Sequence, residues 1–421
     1  MTAIVGVLNK HGAAIAADSA VTIGGKKVFN SANKVFTLSK YEPVAIAVYN
    51  NSDLITTPWE IVIKEYRKQL KDRHFDKLIQ YIADFFNFLK KRNYFTSTKS
   101  QHAYLKREFL LSIEIEISAI KDQGVVKKED LQARLLSKIE NEIVDVDMHS
   151  RSNFFGNDMT YSRFIIFAKE PLKQVIDEIK NKYQIEIPNT SFSFFMYRLF
   201  VLLQLIRNMS GLVFVGYGDK ECYPSLYNYE CCSVVDNDLS FYEKEQERMI
   251  IGDNNGACIS PFAQVDVVQT FVRGVNPGLK DIFQRAFLSS VKSTIDVMMK
   301  KIAHISPDSE KILYGLKSDK NFLAGQLRSF NEQYNELAKE EYISPFVNSV
   351  ISLEKDDLAD LAESLVKLTS LRRKISPDQT TVGGPIDVMV ISKGDGIVWI
   401  KRKHYFKPEL NPNFFETYLK H

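Results

Sequence analysis

The stretch Thr2-Ala3-Ile4-Val5-Gly6-Val7-Leu8-Asn9-Lys10-His11-Gly12-Ala13-Ala14-Ile15-Ala16-Ala17-Asp18 decides how this chain is read. Ala3 to Leu8 is a β-rich run, Asn9-Lys10-His11-Gly12 supplies turn residues, and Ala13 to Asp18 is a second apolar run. The pattern predicts strand, turn, strand. Alanines at 13, 14, 16 and 17 suit a strand packed tightly between layers. Only Met1 stands before Thr2, and a small second residue favours its removal. Thr2 would then carry a free α-amine beside its own hydroxyl. Such an amine has a pKa of about 7.7–8.0, so it can accept a proton near neutrality. Hydroxyl and base on one residue make a minimal activated nucleophile.

Working outward, Gly24-Gly25 marks a turn, and Val35 to Leu38 and Val44 to Tyr49 read as further strands. Thr57 is a candidate N-cap with Pro58 at the first helical position, and Trp59, Val62, Ile63, Tyr66 and Leu70 follow at helical spacing. From 75 to 205 the texture is helical and charged, with Phe194 to Ile206 expected as a buried core helix. Strand character returns at Gly211 to Gly218 and at Met249 to Ile251. Phe262 to Val272, Gly278 to Lys300, Lys320 to Glu340 and Asp356 to Arg373 read as helices. Ile386 to Ser392 and Ile397 to Arg402 form an expected hairpin around Lys393-Gly394-Asp395-Gly396. Strands at both ends with helices between predict an α+β fold. The expected frame is a core domain of 1–74 and 206–421, a helical insertion over 75–205, and a further helical segment at 300–350.

Charge and cysteine content narrow the function. Fifty-five basic residues against 52 acidic ones argue against a nucleic-acid or polybasic membrane surface. Four cysteines, at 222, 231, 232 and 258, are too few and too clustered for a disulfide framework and contain no zinc-type spacing. No signal-peptide pattern opens the chain, so a cytoplasmic protein without a membrane segment is expected. No cofactor is expected. Asp145, Asp147 and His149 alternate as metal ligands can, but read as a polar strand or loop, and no metal is expected.

Asp18 lies at a strand end 16 positions after Thr2, and Lys34 precedes a strand 32 positions after it. Neighbouring strands can gather all three side chains. A lysine beside the α-amine disfavours its protonation, and an aspartate keeps that lysine charged and oriented.

The residues Thr2 to Val7, Gly12 to Ser19 and Asn33 to Leu38 resemble the opening of a proteasome β-subunit, and equally the peptidase of the bacterial two-component ATP-dependent protease. The resemblance implies the four-layer αββα sandwich of N-terminal nucleophile hydrolases. It implies Thr2 as nucleophile, its amine as base, Lys34 as modulator of that amine and Asp18 as the partner of Lys34. Ser376-Pro377-Asp378-Gln379-Thr380-Thr381-Val382-Gly383-Gly384 is similar to the family's Asp-x-x-Ser-Gly turn, which implies Asp378 and Thr381 beside Thr2. Threonine replaces serine there, and the glycine comes one residue late. Where the family has a serine after a glycine, Gly252 is followed by Asp253, with Ser260 as the alternative. Where the family's oxyanion donor is a glycine N–H, this chain has Asn50, a residue that tolerates left-handed backbone. The matches span roughly 2–72, 211–275 and 350–403.

The expected activity is hydrolysis of an amide bond in a peptide or protein substrate. A small-molecule amidase and an inactive scaffold subunit are the alternatives. Homo-oligomer formation and an ATPase unfoldase partner stay open.

Overall fold

The computed structural model describes residues 2–23, 27–91, 95–124, 127–144, 159–201, 209–302, 314–315, 319–376 and 382–413. It is a mixed α+β protein with antiparallel sheets, as the sequence leads one to expect. The chain divides into two compact units, one of residues 1–32, 251–390 and 399–421, the other of 33–250 and 391–398.

The first unit contains β1 (Ala3–Asn9), β2 (Ala13–Ala17), β3 (Val21–Ile23) and β4 (Lys27–Phe29) from the start of the chain. The second unit contains β5 (Val35–Thr37), β6 (Val44–Asn50), β7 (Asp53–Leu54), β8 (Thr57–Pro58), α1 (Trp59–Leu70), α2 (Leu78–Lys91), α3 (Thr98–Asp122), α4 (Lys128–Val144), α5 (Tyr161–Tyr183), α6 (Asn189–Val201), β9 (Ser210–Gly216), β10 (Ser225–Val235), β11 (Asp238–Glu243) and β12 (Met249–Ile250). The chain then returns to the first unit with β13 (Ala257–Ala263), α7 (Asp266–Arg273), α8 (Pro277–Ile302), α9 (Lys320–Ala338), a π-helical turn (Lys339–Ile343), α10 (Ser344–Ile351) and α11 (Lys355–Ile375). It closes with the hairpin β14 (Asp387–Ser392) and β15 (Gly396–Lys401).

A five-stranded sheet runs β13-β1-β2-β14-β15 in the first unit's architecture. Its first hairpin is buried on both faces. Ala3, Val5, Val7, Ala14 and Ala16 pack against Leu358, Ala359, Ala362, Leu365 and Val366 of α11, while Ile4, Leu8 and Ile15 are buried on the opposite face. The alanines let α11 come close to the sheet. Strand alternation puts residues of the same parity on the same side, so one apolar run feeds two packed faces.

In the second unit the sheet order is β11-β10-β9-β6-β5, with β12 paired to β10. α1 and α2 cover one face, where Trp59, Tyr66 and Phe85 pack with Ile46, Phe214 and Tyr229. α3 to α6 enclose a separate core that includes Phe109, Phe164, Val175 and Phe200. Gly211 has no room for a side chain, because a Cβ there would lie 2.0 Å from the Tyr49 ring.

Three local expectations are corrected. Phe262 to Val272 is not one helix: β13 runs to Ala263 and α7 begins at Asp266. Pro261 weakens the strand signal, yet β13 is an edge strand, where a missing N–H is tolerated. Thr57 does not cap α1. It belongs to the short pair β7–β8, and its hydroxyl donates to the Phe95 carbonyl at 2.5 Å. β10 and β11 carry no expected strands, although Asp236 and Asn237, with φ of 52° and 61°, form the kind of left-handed two-residue turn that marks a hairpin.

Candidate functional site

β1 and β2 pair with Ile4 opposite Ala17, which brings Ala3 and Asp18 to the same end of the hairpin. The strands hydrogen-bond there through Asp18 N–H to the Ala3 carbonyl at 3.1 Å. The Asp18 carboxylate is 1% exposed and accepts three backbone N–H groups. Ala3 donates to Oδ1 at 2.9 Å, and Ala20 and Gly383 donate to Oδ2 at 3.1 and 3.0 Å. Charge-assisted bonds of this kind are roughly twice as strong as neutral ones. One buried side chain thus joins the start of β1, the end of β2 and the segment leading to β14.

Ser19 reinforces the same junction. Its N–H donates to the Gly383 carbonyl at 3.1 Å, and its hydroxyl donates to the Pro385 carbonyl at 2.5 Å. Thr2 is 5% exposed, and its carbonyl accepts the Gln264 N–H at 3.2 Å just beyond β13. The Thr2–Ala3 peptide group is therefore held at both edges, through the Thr2 carbonyl and through the Ala3 amide. Its hydroxyl is a nucleophile-type group on a fixed backbone.

Asp378 and Thr381 lie outside the described residues, as do Asp145, Asp147 and His149. Lys34 and Asn50 belong to the second unit. Lys34 is 4% exposed, and its carbonyl accepts the Val48 N–H at 2.8 Å as β5 begins. Asn50 ends β6 in the left-handed region with φ of 62°, the conformation for which asparagine is suited.

Asp253 is corrected. It pairs with Lys10, at the Asn9 end of β1, with Nζ to Oδ1 at 3.0 Å and its side chain 92% exposed. Seven residues of extended strand separate that end from Thr2, about 23 Å at 3.3 Å per residue. An aspartate there cannot support the amine of Thr2. Ser260 is buried opposite Gly6, which also sets it about 13 Å along the strand from Thr2. Sequence reasoning missed Ser19 as a tie from the end of β2 to Gly383 and Pro385, and Gln264 as a support of the Thr2 carbonyl. A side-chain oxygen directly after Asp18 is the one local signal for the first, and the second follows only from the pairing of β13 with β1.

All four cysteines are free thiols, and burial pushes Cys258 and Cys232 up to about 12. Among the described residues, no three His, Cys, Asp or Glu side chains gather as metal ligands do, and no helix is long and apolar enough to cross a membrane.

No family model matches the sequence, and no curated protein matches it. Solved structures do match. Anbu (ancestral beta-subunit) from Yersinia bercovieri is 9% identical, with 99% of this chain and 95% of that chain covered and a TM-score of 0.27. The Anbu (Gly-1) mutant from Hyphomicrobium sp. strain MC1 is 8% identical, with 100% and 96% covered and a TM-score of 0.27. These findings overturn the assignment to the proteasome β-subunits that the opening residues suggest. Both of these structures are Anbu proteins, and a likeness at that TM-score and identity says nothing about chemistry. The chemistry has to come from the residues themselves.

Proposed function

We propose that this chain is an N-terminal threonine hydrolase that cleaves amide bonds in a peptide or protein substrate. The observation that carries the reading is the pinned start of β1. Here Thr2 is buried, its carbonyl is bonded, and the next amide is held by the buried Asp18 carboxylate at 2.9 Å. A nucleophile has to be fixed to within about 0.5 Å of its productive position, and a clamped backbone supports such a role. The four-layer αββα sandwich expected from the sequence goes with this reading.

The reaction requires removal of what precedes Thr2, which in this sequence is Met1. The Thr2 Oγ attacks the substrate carbonyl carbon while its proton passes to the freed α-amine. The tetrahedral intermediate breaks the C–N bond, and the leaving amine takes the proton from the α-ammonium. Water then attacks the threonyl ester, returns a proton to Oγ and releases the acid. The support comes from the first unit alone, and the reading does not draw on Lys34 or Asn50.

Intact mass, followed by incubation with a peptide epoxyketone, tests the proposal. The mature protein is expected to begin at Thr2 and to form a ring adduct that joins its amine and hydroxyl. Thr2→Ala is expected to lose the adduct and to lower peptide-amide hydrolysis by at least about a thousandfold, as removal of a nucleophile does. A chain that keeps Met1, or a Thr2→Ala variant that is labelled and turns over as the parent does, overturns the proposal.

A further inference from the structure

Backbone groups of an antiparallel strand point alternately to its two neighbours. Ala3 faces β2, since its carbonyl accepts the Asp18 N–H at 3.1 Å. Ile4, Gly6 and Leu8 therefore face β13, opposite Phe262, Ser260 and Cys258. Thr2 continues that series, opposite Gln264. A regular pair at this place exchanges two bonds. One is present, from the Gln264 N–H to the Thr2 carbonyl at 3.2 Å. Among the described residues, no bond returns from the Thr2 nitrogen to the Gln264 carbonyl.

The ladder loses its regularity at Ala263. Its φ is 64°, in the left-handed region that residues with a Cβ avoid. The Gln264 N–H also donates to the Phe262 carbonyl at 3.0 Å, which closes a γ-turn of the rare, strained kind around Ala263. Val265 is already helical, with φ of −94° and ψ of −22°, and α7 follows. Both flanks of the turn are fixed. Phe262 is buried opposite Ile4, Val268 of α7 is buried in the core, and Asp266 pairs with Arg373 of α11 at 2.6 Å. Backbone strain persists only where the surroundings impose it, and it gathers at functional sites.

We propose that Ala263 is a positioning residue for the nucleophile. Its left-handed turn ends the ladder halfway through the last pair, so the Thr2 carbonyl is held while the Thr2 nitrogen is kept off the sheet. The proposal rests on the hydrolase reading and says how the α-amine stays a base once Met1 is removed. In a closed pair the amine would donate to the Gln264 carbonyl. Such a bond favours the protonated form and raises the pKa. A rise of about one pH unit leaves roughly a tenth of the free base at neutrality. Among the described residues of the first unit, the charged groups on the elements around Thr2 are Asp18 after β2, Asp266 on α7 and Arg373 on α11. Asp18 is taken up by three N–H groups and the other two pair with each other, so substitution at Ala263 leaves their charges as they are.

Titration of the terminal amine in the full chain tests the turn, read by mass from the pH dependence of its acylation by acetic anhydride. The parent amine is expected to titrate no higher than about 8, the ordinary value. Ala263→Val puts a β-branched side chain where φ is positive, which drives the residue back to extended backbone. Its amine is expected to titrate about one pH unit higher. Its kcat on a peptide amide at pH 7 is expected to fall about tenfold with KM unchanged, and to recover as pH rises past the new value. Ala263→Gly allows the turn without strain, and is expected to match the parent in both titration and kcat. A parent amine that titrates above about 9 overturns the proposal even if the valine variant does not fold. So does a folded valine variant that matches the parent, or a glycine variant that behaves as the valine one is expected to. Those outcomes leave the threonine adduct standing. A chain that keeps Met1, or forms no adduct, overturns the hydrolase reading and this proposal with it.

Discussion

β1 has an aspartate at each end, and the two could hardly differ more. At the Thr2 end, Asp18 is 1% exposed and accepts three backbone N–H groups from three separate segments. At the Asn9 end, Asp253 is 92% exposed in its side chain and meets a single partly exposed lysine. From the sequence, both are candidates to stand beside Thr2. The difference teaches that a carboxylate gains structural weight from the donors it satisfies in a dry site, and that a surface ion pair contributes little.

The comparison can be broken most forcefully at Asp18. Asp18→Ala leaves three donors without their acceptor, and urea unfolding is expected to show a loss on the order of 3–5 kcal/mol. Asp18→Asn keeps the shape but loses the charge, so a loss of about 2 kcal/mol is expected. If both variants unfold at the parent's midpoint, the carboxylate is not the clamp described here.

Glu363 on α11 offers an intermediate case. Burial opposes its ionisation, but hydrogen bonds from Lys401 and Lys367 outweigh burial and hold its carboxyl below the usual range. A carboxyl depressed in the folded state contributes stability above its unfolded pKa, and that contribution is lost as pH falls through the lower folded value. Glu363→Gln is therefore expected to cost stability at neutral pH and to flatten part of the acid limb of a stability–pH curve. Parallel curves for parent and variant would remove Glu363 from the account.

The smallest effect belongs to Asp253. Asp253→Ala is expected to leave the urea midpoint and any amide-hydrolysing activity unchanged within error, because an exposed pair competes with water and salt. A marked loss of activity alone would return Asp253 to the site and undo the contrast between the ends of β1.

Much of the fold was legible in the sequence because its strongest signals are local. The runs Ala3 to Leu8 and Ala13 to Asp18, the turn between them, and the closing hairpin all appear where propensity and turn chemistry place them. Asn50 adopts the left-handed backbone that its residue type allows. β13 was not legible, since Pro261 argues against a strand until an edge position makes its missing N–H harmless. β10 was hidden for another reason. It is buried on both faces, so it lacks the alternation that marks a half-exposed strand.

By itself, then, the sequence determined which segments are strands and helices at both ends of the chain, and that a threonine opens the first strand. Residue type and short-range spacing carry that information. Only the tertiary structure decided what each polar side chain does. It assigned Asp18 to the amides of Ala3, Ala20 and Gly383 and sent Asp253 to the far end of β1. Those outcomes depend on strand register and on donors brought together from positions hundreds of residues apart. No local pattern encodes them.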